Sequence, residues 1–172
     1  RRDSPWPEQS GEFIITDSAQ LINVFPLGFG GHHFRNEGVV TGQAVYFTSS
    51  DPQLLDGGGI MSSMVLYGAG GAVLGDDLII QNSLEFSNGL LDLGDHDLVL
   101  LDSSSTAIIG GSHASHINTT GTGVVDRIVA GSSYFFPVGV DGVMSPVTLS
   151  LVNGPSETFR VRVLEGAFPA FD

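Results

Sequence analysis

Residues 72–111, AVLGDDLIIQNSLEFSNGLLDLGDHDLVLLDSSSTAIIGG, carry the reading of the fold. Short apolar runs at Leu78–Ile80, Leu84–Phe86, Leu90–Leu93, Leu98–Leu101 and Ala107–Ile109 are parted by brief separators rich in Gly, Asp, Asn and Ser. Each run is too short to be stable alone. The separators suit sharp bends, because Gly takes positive φ freely and Asn and Asp tolerate it while bonding their own backbone. Strands strung together in this way gain stability by stacking. The stretch is therefore part of either a short β-helix, solenoid-like, or a tightly turned β-sandwich.

The spacing of comparable strands favours a coiled path. Val65-Leu66, Leu84–Phe86 and Ala107–Ile109 follow one another at intervals close to a β-helix rung of about 20 residues. Antiparallel Greek-key pairing is the competing arrangement. The strands themselves are better specified than their partners.

Working outward, residues 1–11 hold Pro5, Trp6 and Pro7 without periodicity and form an extended lead-in. Strands are expected at Glu12–Thr16 and Gln20–Phe25, as a pair at the edge of a sheet. Leu27–Gly31 (LGFGG) is expected to break the chain, and further strands follow at Gln43–Thr48, Gln53–Leu55 and Ser62–Tyr67. A body over 12–111 then gives way at Gly110 to a C-terminal part, 112–172, with strands at Val124–Ala130, Ser133–Val138, Met144–Leu151 and Glu157–Leu164. The last of these alternates strictly, with Phe159, Val161 and Val163 on one face and Arg160 and Arg162 on the other. That is the pattern of a half-exposed antiparallel strand. The whole is all-β, with a C-terminal antiparallel sheet and an apolar tail containing Phe168 and Phe171.

Six basic residues, all arginine, face 19 acidic ones, for a formal charge of −13. Nucleic-acid backbones and anionic membrane surfaces both require clustered positive charge, so both are disfavoured as partners. The charge suits solubility and a saline exterior. Cysteine is absent, which excludes disulfides and thiolate chemistry but not an extracellular location. No stretch has the length and apolarity of a transmembrane helix, so no membrane insertion is expected. The chain opens Arg1-Arg2 without Met, which points to an exported precursor after processing, or to a fragment.

Asp76, Asp77, Asp95 and Asp97 lie at bends between the central strands, where stacking can bring their oxygens together as calcium ligands. The competing explanation is that Asp simply forms the turns, and no D-x-D-x-D-G loop is present. His113 and His116 lack a completing set of metal ligands and are expected at the surface; His32-His33 needs partners distant in sequence. No G-x-S-x-G elbow and no facing pair of carboxylates in an aromatic-lined segment is evident, so no enzyme is expected. Asn118-Thr119-Thr120 fits the glycosylation pattern, a match frequent by chance. Arg127 either pairs with Asp126 or a turn carboxylate, or sits at the surface; Phe135, Phe136 and Val138 are suited to filling the seam between stack and sheet.

Four elements carry a resemblance: NG-x-x-DLG-x-x-x-L-x-L at Asn88–Leu100, G-x-G-x-x-x-R at Gly121–Arg127, FPVG at Phe136–Gly139 and PVTL at Pro146–Leu149. Over about residues 82–151 the chain resembles the β-rich repeats of large secreted and cell-surface proteins of the Bacteroidetes group. The resemblance implies an adhesin-like or structural module outside the cell and supplies no catalytic residues. The expected function is thus an extracellular structural protein that assembles with copies of itself by strand addition, into a filament or surface layer, with Trp6, Phe168 and Phe171 at the interface. The alternatives are a carbohydrate-binding module using Trp6, Tyr46, Tyr67 or Tyr134, and a remnant of a β-helical polysaccharide-degrading enzyme.

Overall fold

A computed structural model describes residues 11–131, 133–152 and 154–165. The chain is a β-solenoid of three parallel ladders that ends in antiparallel strands. The first rung supplies one strand to each ladder: β1 (Glu12–Ile15), β2 (Gln20–Asn23) and β3 (Leu27–Phe29). The second rung repeats this with β4 (His33–Asn36), β5 (Val39–Gly42) and β6 (Val45–Phe47). In the third and fourth rungs, β7 (Gln53–Asp56) and β9 (Ala72–Leu74) continue the first ladder. The long strands β8 (Ile60–Leu66) and β10 (Leu78–Phe86) serve the other two together, and their mutual register shifts between Ile80 and Ser83. The fifth rung is β11 (Leu91–Asp92), β12 (Leu98–Leu100) and β13 (Ile108–Gly110).

The anticipated rung spacing is the observed register. Val65 pairs with Glu85, Leu84 pairs with Ile108, and both pairings are parallel. Ala72 pairs with Gln53 on one side and Leu91 on the other, each nineteen positions away. Two elements differ from expectation. Leu27–Phe29 is a strand, because Phe29 turns into the core while Gly28 pairs beside Tyr46 on the outer face. β1 and β2 do not pair with each other; each is the edge of its own ladder, joined instead to β4 and β5.

Parallel stacking continues past Gly111 through β14 (Ile117–Asn118), β15 (Val125–Val129) and β17 (Val138–Val140). Leu98 pairs with Val125, 27 positions on, so this rung carries extra chain. Direction then reverses. β16 (Ser133–Phe136) pairs with β19 (Val147–Ser150) as a small separate sheet, β18 (Val143–Met144) covers β17, and β20 (Glu157–Val161) covers β15, all antiparallel. The β17–β18 turn places Asp141 (φ 50°) and Gly142 (φ 74°) both at positive φ, the requirement of a tight two-residue hairpin turn.

Within the solenoid, successive rungs place like side chains above one another at about 4.8 Å. Phe13, Phe29, Phe34 and Phe47 form the first part of the core, with Phe13 stacked on Phe34 (5.3 Å, 6°) and Phe29 and Phe47 edge-on to Phe34. Leu, Ile and Met follow, each buried side chain stabilising the fold by about 1.5–3 kcal/mol. One inward column reads Leu21, Val40, Met61, Ile80, Leu100 and then Arg127, all in register. Corners are tight: Gly71 sits at φ +66°, and a Cβ there would collide with the Leu90 carbonyl.

Candidate functional site

The corner between the first and second ladders collects the acidic residues singled out in the sequence. Its carboxylates mostly bond the N–H groups of the next rung. Asp77 Oδ1 accepts from the backbone N–H of Asp97 (2.8 Å), and Asp97 Oδ1 accepts from that of Val124 (3.0 Å). Asp95 Oδ1 accepts from both the backbone N–H and the hydroxyl of Thr122 (3.0 Å each), which holds its pKa below the ordinary carboxylate value. Asp97 Oδ2 also receives Arg160 Nη2 at 2.6 Å, while Arg160 Nε reaches Asp126 at 2.8 Å. These acids stitch rungs together.

Of the four candidate ligands, Asp76 and Asp77 come together with His96, their ligand atoms lying within 4.8 Å of one another. That group can in principle hold a divalent ion such as calcium. Asp95 and Asp97 are not part of it among the described residues; His96, between them in sequence, takes the place expected of a carboxylate. Asp76 Oδ1 also accepts from the Asp77 N–H (2.9 Å), and both aspartates are exposed.

Three side chains lie where the sequence did not place them. His116 is fully buried rather than exposed; its Nδ1 is 3.1 Å from the Ser112 carbonyl, and its ring fills the space beside Gly139. Arg127 makes no carboxylate pair among the described residues and is fully buried. Its Nη2 donates to the Ser104 carbonyl (2.5 Å) and Nη1 to that of Phe135 (3.4 Å). The guanidinium carbon lies 4.9 Å from the Tyr134 ring centre and 5.6 Å from that of Phe136. Burial lowers its pKa, opposed by the Tyr134 hydroxyl and Asp102. Tyr134 in turn donates to the Ser103 carbonyl (2.7 Å), so guanidinium and phenol together pin the fifth-rung loop to the C-terminal sheet. Asn118 is buried too; its amide donates to Thr120 and Asp92, so its acceptor pattern is not presented. Phe136 and Val138 fill the seam as anticipated, whereas Phe135 stays partly exposed.

At the opposite end, His33 stands between Glu12 (Nδ1 to Oε1, 2.8 Å) and Asp56 (Nε2 to Oδ2, 3.0 Å), bridging the first three rungs of the outer face. Arg35 beside it pairs with Glu37 at 2.5 Å. The first rung has no strand on its outer side among the described residues. Ile14, Ile22, Val24 and Phe25 are 52, 64, 73 and 78 % exposed there, the densest apolar exposure in the described chain. Trp6, Phe168 and Phe171, the expected interface aromatics, lie outside the described residues. Of the aromatics considered for sugar binding, Tyr134 is buried and Tyr67 is exposed.

No helix among the described residues is long and apolar enough to cross a membrane. No protein-family model matches the chain, and neither a curated protein nor a solved structure is significantly similar to it.

Proposed function

We propose that the protein is an extracellular or surface-exposed structural module that associates by strand addition at its first rung. One observation carries this reading: among the described residues, β1, β2 and β3 offer three unpaired parallel edges flanked by exposed Ile14, Ile22 and Phe25. Bare backbone donors and acceptors beside apolar side chains are a template for another strand. A second copy is the partner the edge fits most simply. Because antiparallel strands cover the far ends of the first and second ladders, copies joined by their first rungs stop at a closed pair; a head-to-tail filament would have to displace that cover. The reading is non-catalytic, supported by the use of the corner carboxylates as turn acceptors. The acidic, lysine-free composition and the resemblance over residues 82–151 support an exterior location.

Calcium at the first corner has weaker support than this edge. Hard-cation sites are built from oxygen, and an imidazole in the set suits a borderline transition ion better.

Sedimentation velocity across a concentration series tests the edge. The expected result is a concentration-dependent dimer that Ile22→Lys reduces to monomer without altering the circular dichroism. A wild-type chain that remains monomeric at about millimolar concentration, corresponding to association weaker than about 4 kcal/mol, overturns it.

A further inference from the structure

The second ladder turns an apolar column outward as well as inward. Successive rungs place Gln20, Val39, Ile60, Ile79, Val99 and Asp126 above one another on its outer surface. Four β-branched residues thus stand in an unbroken row between polar ends, each half-buried by its neighbours. A sheet with one solvated face would alternate apolar with polar. Here Val39-Val40, Ile60-Met61, Ile79-Ile80 and Val99-Leu100 are apolar on both faces.

The row is also the floor of a depression. A groove of about 600 Å³ lies over Val39, Ile60 and Ile79, with Asp17 and Glu37 on its wall. A second hollow of about 170 Å³ continues over Val99, Leu101 and Ile128. Asp76 and Asp77 carry the acidic flank to the corner of the fourth rung, where Asp76 lies beside Gly58 of the groove. No arginine among the described residues is free to neutralise it. Arg35 neutralises Glu37, which leaves Asp17, Asp76 and Asp77 as the acidic flank; Arg160 is held by Asp97 and Asp126, Arg162 by the carbonyls of Gly121 and Thr122, and Arg127 is buried.

We propose that this face docks an extended peptide that alternates basic and apolar side chains, lying along the solenoid axis. An extended strand sends alternate side chains to opposite sides, so its apolar set can lie on the Val39–Val99 row while long basic side chains bend to the acidic flank. Four rungs span about 14 Å at the usual strand spacing, a reach of four or five extended residues, and the second hollow lengthens this. The charge selects the partner. A second copy would bring the same excess of negative charge to an already acidic flank, and a sugar would find no aromatic platform in the row. This surface is separate from the first-rung edge.

Fluorescence anisotropy with a labelled eight-residue (Lys-Val)₄ peptide tests the proposal, with (Lys-Ser)₄ and (Glu-Val)₄ as comparison probes. At about 20 mM salt, where screening is weak, (Lys-Val)₄ is expected to bind saturably and (Glu-Val)₄ not at all. Ile79→Lys, which puts a like charge on the floor, should weaken binding at least about tenfold. The double change Asp76→Asn, Asp77→Asn should weaken it less and flatten its salt dependence. Equal affinity for (Lys-Ser)₄ would reduce the effect to diffuse charge attraction, and unchanged binding by a folded Ile79→Lys protein would remove the floor from it; either result overturns the proposal. So does the finding that Ile79→Lys dissociates a dimer while no peptide binds, which would make the occupant a second copy.

Discussion

The two ends of the solenoid solve the same problem in opposite ways. At the first rung the strands stop with edges that no other described strand pairs, an aromatic core of Phe13, Phe29 and Phe34 close beneath them, and Ile14, Ile22 and Phe25 exposed. At the last rung the chain reverses direction, so β18 and β20 lie antiparallel on the stack. The covering strands are poor templates in their turn: β18 is two residues long, and β20 carries Glu157 and Arg160. The core also changes character, with Arg127 taking the column position that Leu21, Val40, Met61, Ile80 and Leu100 hold in earlier rungs. A parallel stack continues for as long as each rung repeats the last. Ending it takes a reversal outside and a polar plug inside.

Arg127→Met breaks the second device and should have the largest effect. The thioether fits the column but cannot donate, leaving the Ser104 and Phe135 carbonyls without their guanidinium bonds. Hydrogen bonds from a charged donor contribute about 1.5–3 kcal/mol each, but the Ser104 carbonyl keeps the Ala107 N–H and relief of the buried charge offsets part of the loss, so a net loss of about 1–3 kcal/mol is expected. Its location matters more than its size. Amide hydrogen exchange should lose protection in β16, β19 and the Ser103–Ser104 loop while rungs one to four keep theirs. A uniform loss along the chain would show that the two ends are not separately stabilised.

Arg127 also shows where reading the sequence stops. Strand positions and the rung interval were legible because Gly, Asp and Asn mark the corners and the apolar runs recur at the rung length; Val65, Glu85 and Ile109 do occupy one column. In Val125–Val129 the apolar residues are 125, 128 and 129, which suggests that Arg127 faces out. Parity settles it the other way, since Val125, Arg127 and Val129 all point inward. Strict alternation was therefore a better guide than residue type, and it would have found this residue. His116 is harder to find, because the room for its ring comes from Gly139 on the next rung, although Ser112, which meets its Nδ1, is only four residues away. The corner acids were legible as turn formers, whereas the convergence of His96 on Asp76 and Asp77 depends on register between rungs.

The open end carries a smaller defect that can be repaired. Ser18 sits at φ 64° in the first corner, where the third rung uses Gly57 and Gly58 at positive φ. A left-handed conformation costs a residue with a Cβ about 1–2 kcal/mol, and glycine's greater freedom in the unfolded chain returns part of that. Ser18→Gly should raise stability by about 0.5–1 kcal/mol, measured by urea unfolding at unchanged slope. Destabilisation instead would mean that the Ser18 side chain holds the corner.

The smallest effect concerns how acid acts on the two halves. Thr122 donates twice to Asp95 and ties the fifth rung to the sixth, while Arg35 binds Glu37 near the open end; both carboxyls are held below their ordinary values of 3.8 and 4.5. A carboxyl with a depressed folded pKa is protonated more readily in the unfolded chain. Its stabilisation is complete above the unfolded value and is lost as pH falls through the folded one. Wild type and Asp95→Asn should therefore differ by a constant margin from neutral pH to about pH 4 and converge below it, and Glu37→Gln should behave in the same way from a slightly higher starting point. Both groups are exposed, so the margins will be small, and their resolution requires unfolding curves at closely spaced pH. If the Asp95→Asn margin persists unchanged to about pH 2, the two Thr122 bonds do not favour the ionised carboxylate, and the stitch between rungs five and six is a matter of shape rather than charge.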